Sequence, residues 1–288
     1  MCIRDRAYIR LSQFDKASAS EMLTVLEELP DNITGIVLDL RSNGGGLLTA
    51  AENICDMFLK PGLTIVKIKG RKGLAVRESK SSSEPLVGEQ VKLAVLIDRQ
   101  SASAAELVAG CLQDHDRAVV VGEQSWGKGT VQNVIPMKMG TSALKLTTYS
   151  FWRPTGPVID RYNKDAIKTG KWGIYPSEGM AVEQDALDMV CALKRMHFQE
   201  IGGLIPEDRR EKILAISRDN FLKRINERDE PDQEEATPEG QDAIPDASAA
   251  ERDELPDRKV APEDLERDPV LEKAIEFISQ VKIEKQAA

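Results

Sequence analysis

Three short stretches carry side chains that could do chemistry together. SASAAELVAG (101–110) follows the apolar run VKLAVLID and leads into a helical pattern. A small-residue passage from a buried strand into a helix sets one serine, Ser101 or Ser103, at the helix amino terminus. There, unpaired N–H groups and the helix dipole favour a developing oxyanion. GKGTVQ (127–132) holds Lys128 between glycines. A strand beginning at Gly127 puts Lys128, Thr130 and Gln132 on one face, because side chains alternate with period two. In a water-poor setting such a lysine sheds its charge and can act as a base, with Gln132 holding the amine without adding charge. NGGG (43–46) follows a second buried strand, and its glycines allow backbone amides to approach a reacting oxygen closely. The chemistry the three stretches could share is acyl transfer by a serine nucleophile with a lysine base.

Other arrangements fit less well. The chain has two histidines, His115 and His197. His115 beside Asp114 is no dyad, since adjacent side chains diverge, and it reads as a surface residue at a helix end. Two SxxK patterns occur, Ser142 to Lys145 and Ser279 to Lys282. The first lies on an expected strand, where a separation of three sends the side chains to opposite faces, and the second lies in a charged terminal helix. Neither NGGG nor GKGT has the GxxxxGK[ST] spacing of a phosphate loop.

The elements that must position these stretches follow from periodicity. AYIRL (7–11) alternates as a strand, and Ser18 or Ser20 can cap a helix running to about Leu29. GIVLDLR (35–41) is continuously apolar enough for a strand buried on both faces, followed by a helix within 47–59. Residues 63–70 and 73–80 read as a strand pair, 91–98 as a buried strand, 104–113 as a helix and 118–122 as a strand. GTVQNVIPM and ALKLTTYSFW flank the turn MGTS and predict a hairpin. The order to residue 122 is β-α-β-α-β-β-β-α-β, an α/β sheet with covering helices. Residues 183–196 form an amphipathic helix pattern, and a last helix is expected over about 269–283.

Composition narrows the partners. The chain has 288 residues, 41% of them hydrophobic, and a net charge of −9 with Lys and Arg scattered, which speaks against nucleic acid. No apolar run approaches the roughly 20 residues of a membrane span. Cys2, Cys55, Cys111 and Cys191 show no CxxC spacing, and Cys55 and Cys111 read as free buried thiols. MCIRDR (1–6) reads as a translated sequencing adapter fused to an interior reading frame. The expected organisation is a catalytic core over 7–200, a helical extension over 201–226, a disordered acidic linker over 227–267 and a terminal helix over 268–288.

With these residues in view, the chain resembles the carboxy-terminal processing peptidases, or tail-specific proteases. The stretches AYIRLSQF, GIVLDLRSNGGGLL, SASAAELVAGCLQD and GEQSWGKGTVQ carry the likeness over roughly 7–160, and WGIYPSEG extends it to about 180. The resemblance implies a crotonase/ClpP-like α/β core and a serine endopeptidase that cuts near the carboxy termini of proteins through an acyl-enzyme. It implies Ser103 as nucleophile, Lys128 as base, Gln132 as the partner of Lys128, and an oxyanion hole of the amides of Ala104 and the pair Gly45-Gly46. Glu106 and Asp114 match acidic positions in a supporting role. Gly44 stands where proline is common, and Trp126 where phenylalanine is usual. The family's PDZ domain and amino-terminal helices would precede AYIRL. The resemblance implies no cofactor and no metal, protein substrates with unfolded carboxy-terminal tails, and a bacterial periplasm or cell envelope, and it leaves an oligomer open. The alternative is a catalytically silent ligand- or peptide-binding protein on the same fold. A crotonase-like acyl-CoA enzyme would need an adenine-nucleotide motif, which the sequence does not display.

Overall fold

The computed structural model describes residues 2–3, 5–70, 75–137, 142–157, 159–204, 215, 217–223, 261–265 and 267–284. Residues 227–260 and 266 of the expected disordered linker and the turn residues 139–141 lie outside this set, whereas 261–265 and 267 are described and include a 3-10 turn, so the linker is not disordered to its expected end at 267. The chain divides into two units, Met1–Glu183 with Pro269–Ala288, and Gln184–Asp268.

The first unit is built on a five-stranded sheet. Strand β1 (Cys2–Ile3) runs antiparallel to β2 (Arg6–Arg10). From there β2, β3 (Gly35–Asp39), β6 (Lys92–Ile97) and β7 (Val119–Gly122) run parallel in that order. Helices α1 (Ser18–Glu27), α2 (Leu48–Asp56) and α3 (Ala104–Asp114) lie on the connections, as the parallel order requires. The middle strands bury both faces, which explains their near-continuous apolar sequence. Ile36, Leu38, Leu93, Val95, Ile97 and Val120 enter the core shared with α2 and α3. Their alternating neighbours Val37, Ala94, Leu96 and Val121 face a second core.

The second core has an unexpected partner. Helix α6 (Pro269–Glu284; α5 follows below) brings Val270, Ala274 and Ile278 onto that face of the sheet. The terminal helix therefore belongs to the same unit as the five-stranded sheet instead of merely closing the chain. Gly35 permits the approach: a Cβ there would lie 2.1 Å from the Ile278 side chain.

A second, antiparallel sheet holds β5 (Ala75–Lys80), β4 (Thr64–Lys69), β9 (Ala143–Trp152) and β8 (Thr130–Pro136), in that order. The pairs β4–β5 and β8–β9 match the expected hairpins. At α1 the cap differs from expectation. Asp15, not Ser18 or Ser20, receives the first amides, from Ala17 at 2.8 Å and Ser18 at 2.9 Å. The helix starts at Ser18 itself, so its acceptor has to sit upstream. Helix α4 (Lys164–Thr169) is capped by the Asn163 side chain.

The second unit contains α5 (Ala186–Leu204) and a 3-10 turn (Pro262–Leu265). Arg195 joins them, donating to Leu265 O at 2.9 Å and pairing with Asp268 at 3.1 Å. His197 lies on α5. Cys55, Cys111 and Cys191 are buried, and the Cys55 thiol is pushed up by burial and by its hydrogen bond with Cys111.

Candidate active site

Helix α3 begins where β6 ends, and Ser103 is its N-cap residue, with φ 59° and ψ −113°. A non-glycine residue at positive φ is strained and persists only when its neighbours over-determine it. They do. Ser103 N donates to Glu106 Oε2 at 2.8 Å, and Ala102 N donates to Asn43 O at 2.9 Å. Ser101 separates from Ser103 at this point. It is fully buried, its hydroxyl donates to Leu40 O at 2.8 Å, and it accepts from Asp98 N. Among the described residues, the cavity set out below is lined by Ser103 and not by Ser101.

Glu106 ties this turn to the lysine segment. Besides Ser103 N, its carboxylate accepts from Ser125 Oγ and Gly127 N, each at 2.6 Å, and from Lys128 N at 2.8 Å. One buried side chain thus fixes the backbone of both Ser103 and Lys128. Burial pushes the Glu106 carboxyl up, and the four donors pull it back only in part. Trp126 N donates to Ser101 O at 3.0 Å and Arg161 N to Gly127 O at 2.9 Å. The Arg161 guanidinium lies 5.0 Å from the Trp126 ring and 5.9 Å from the Trp172 ring, so aromatic faces and a cation brace the loop from outside. Gly127, at φ 88°, could not carry a side chain, because a Cβ would lie 2.5 Å from Trp172.

The glycine loop is positioned by Asn43, which is fully buried. Its Nδ2 donates to Leu11 O at 2.7 Å and its Oδ1 accepts the Gly45 amide at 2.8 Å. Phe14 N to Gly45 O (3.0 Å) and Leu47 N to Phe14 O (2.7 Å) zip the loop to the segment after β2. The Gly45 amide is therefore engaged with Asn43, and what Gly45 provides is clearance: a Cβ would lie 2.7 Å from Ser103 Cβ and 2.9 Å from Ala104 N. Among the described residues, the amides of Gly46 and Ala104 donate to no protein acceptor.

A cavity of about 290 Å³ gathers these groups. Gly46, Ser103, Ala104, Lys128, Gln132 and Lys145 line it over an apolar floor that includes Leu107, Val131 and Phe151. The expected Ser103, Lys128, Gln132, Gly46 and Ala104 thus converge on one space, and Gly45 stands directly behind it. Two details depart from expectation. Lys128 is solvent-exposed and not in a water-poor setting, and it sits on the loop before β8. Among the described residues, no direct hydrogen bond joins its amine to the Ser103 hydroxyl. Strict alternation also fails: the register shifts between Val131 and Gln132, so Thr130, Val131 and Gln132 all face the cavity.

The remaining candidates lie elsewhere. His115 is the half-buried C-cap residue of α3, its Nε2 2.7 Å from Thr64 O, so it is packed and not simply on the surface. Asp114 pairs with Arg153 and accepts from Thr155 N, fastening the far end of α3 to the loop after β9. Sequence reasoning missed the bridging role of Glu106. Its signal was present, because Ser103-Ala-Ala-Glu106 has the spacing of a capping box. The roles of Asn43 and Ser125 had no such local signature.

Residues 5–167 match peptidase family S41. The chain is 42% identical over 160 residues to a carboxy-terminal-processing protease of Bartonella bacilliformis, covering 54% of this chain and 36% of that protein. It is 36% identical over 231 residues to the carboxy-terminal processing protease CtpB of Bacillus subtilis, covering 75% of this chain and 47% of the relative. Among solved structures, a photosystem II D1 C-terminal processing protease superposes with a TM-score of 0.52 at 28% identity, covering 61% of this chain and 42% of that one. The chain thus spans less than half the length of these relatives. With more than half of its residues inside the family match, and a serine and a lysine meeting at one glycine-walled cavity, the chain belongs to peptidase family S41.

Proposed function

We propose that this chain is the catalytic core of a serine endopeptidase that cuts near the carboxy termini of loosely folded proteins. One observation carries the reading: Ser103, held at positive φ on a helix N-cap, shares a cavity with Lys128 and with two amides that have no protein acceptor. In the unprotonated state the Lys128 amine takes the proton of the Ser103 hydroxyl as Oγ attacks the peptide carbonyl. The amides of Gly46 and Ala104 hold the oxyanion. The C–N bond then breaks, Lys128 returns its proton to the leaving amine, and water releases the acyl group from Ser103. Gln132 orients the amine from the neighbouring strand. Because Lys128 is exposed, the substrate itself must cover it and exclude water. The family resemblance adds to this proposal a bacterial periplasm or cell-envelope location.

The test is turnover of a fluorogenic peptide by the full chain. Ser103→Ala and Lys128→Ala should each lower kcat/KM by about 10⁴-fold or more, with circular dichroism unchanged. The wild-type rate should rise with pH between about 6 and 9. Retained turnover in either variant removes the mechanism. Failure of Ser103 to react with a fluorophosphonate would favour a silent binding protein on this fold.

A further inference from the structure

The catalytic reading leaves one cavity residue without a task. Lys145 was set aside in the sequence as half of an SxxK pattern, yet its side chain lines the same cavity as Ser103 and Lys128. It lies on β9 opposite Val134, two pairs beyond Gln132 and Thr147 toward the hairpin tip. That offset is about 7 Å, two residues of extended chain. Phe151 shares its strand and the cavity, so the apolar floor and this cation belong to one wall.

The charge balance of the cavity is one-sided. Among the described residues, two lysines line it and no aspartate or glutamate does. Among the described residues, neither Lys128 nor Lys145 forms an ion pair, and the nearby Glu106 carboxylate is occupied by its four donors. A lysine cation beside apolar surface attracts an anion, and the Lys145 stem can lie along that surface while its head reaches solvent.

We propose that Lys145 is a specificity-determining residue that receives a carboxylate of the peptide substrate within about three residues of the scissile bond. This rests on the endopeptidase reading above and narrows it to short acidic tails. The carboxylate comes either from the chain terminus or from an aspartate or glutamate side chain. A merely solvated strand lysine would show no dependence on substrate charge.

The experiment compares matched fluorogenic peptides in the full chain: free-acid terminus, amidated terminus, and amidated with one internal Asp or its Asn counterpart. Wild type should prefer a carboxylate-bearing peptide by roughly five- to tenfold in kcat/KM, and the preference should shrink with added salt. In Lys145→Gln the ratio should fall to about one, in Lys145→Arg it should persist, and in Lys145→Glu it should invert. The free-acid and Asp arms tell which source is read. The same peptides, dye-labelled, are titrated into Ser103→Ala by fluorescence anisotropy. A carboxylate preference in binding that Lys145→Gln abolishes supports the assignment even if no peptide is cleaved, in which case only the endopeptidase reading falls. Equal binding and equal turnover of acid and amide peptides, or a preference that survives Lys145→Gln, overturns it.

Discussion

The two walls of the cavity are built in opposite ways. On the Ser103 side, Asn43, Asp98, Ser101 and Glu106 are all nearly or fully buried, and each is held by several hydrogen bonds. On the hairpin side, Lys128, Gln132 and Lys145 are exposed, and so are the large apolar residues Ile135, Leu144 and Leu146. Buried polar groups tolerate only one satisfied arrangement, so Ser103 and the amides proposed as oxyanion donors are held in place by the fold itself. The hairpin wall is a surface awaiting cover. Fixed geometry resides where the hydrogen bonds are buried, and the selectivity we propose resides where the charges are exposed.

The contrast can be broken most directly at Glu106. Glu106→Gln places an NH₂ against donors that now meet carboxylate oxygen, loosening Ser103 and Lys128 together. We expect kcat/KM to fall by about 100-fold or more, mainly in kcat, with slower fluorophosphonate labelling of Ser103. Labelling at the wild-type rate would show that Glu106 does not position the nucleophile.

The next effect is smaller and lies in the glycine loop. Gly45→Ala should push Ser103 and Ala104 out of place and strain a residue at φ 95°, costing activity by at least about tenfold and stability by about 1–3 kcal/mol. Gly44→Ala should change both by little, within about 0.5 kcal/mol, since no atom lies within 4 Å of the added Cβ. Equal effects at the two positions, in melting curves and labelling rates, would mean that the close approach of Gly45 is not what matters.

The weakest expected effect on chemistry comes from the far face of the sheet. Ile278→Ala empties space against Gly35 and should lower stability by about 2–4 kcal/mol in denaturant titrations. The labelling rate of the folded protein should stay the same. A changed labelling rate would mean that α6 does more than cover the sheet.

Much of this was legible locally. Strand and helix positions up to Trp152 followed from periodicity, because a two-sided sheet needs continuous apolar strands and a covering helix needs its stripe. Lys128 was expected on a strand beginning at Gly127; it sits instead on the loop before β8, exposed, and shares the cavity lining with Gln132. Flanking glycines announce close packing of the backbone, and Gly127 and Gly129 are indeed packed, while the residue between them is exposed. The terminal helix had a recognisable apolar stripe, but nothing in it names the sheet face it covers.

By itself, the sequence determined the parallel strand order's local ingredients, the serine at a helix start, the lysine between glycines and the glycine-rich loop. All of these are patterns within about ten residues. Tertiary structure alone decided that Glu106 would grip Ser103 and Lys128 at once, that Asn43 would take the Gly45 amide, and that Lys145 would stand in the cavity. Each of those is a meeting of segments far apart in the chain, and such meetings depend on how whole elements pack, which no local pattern encodes.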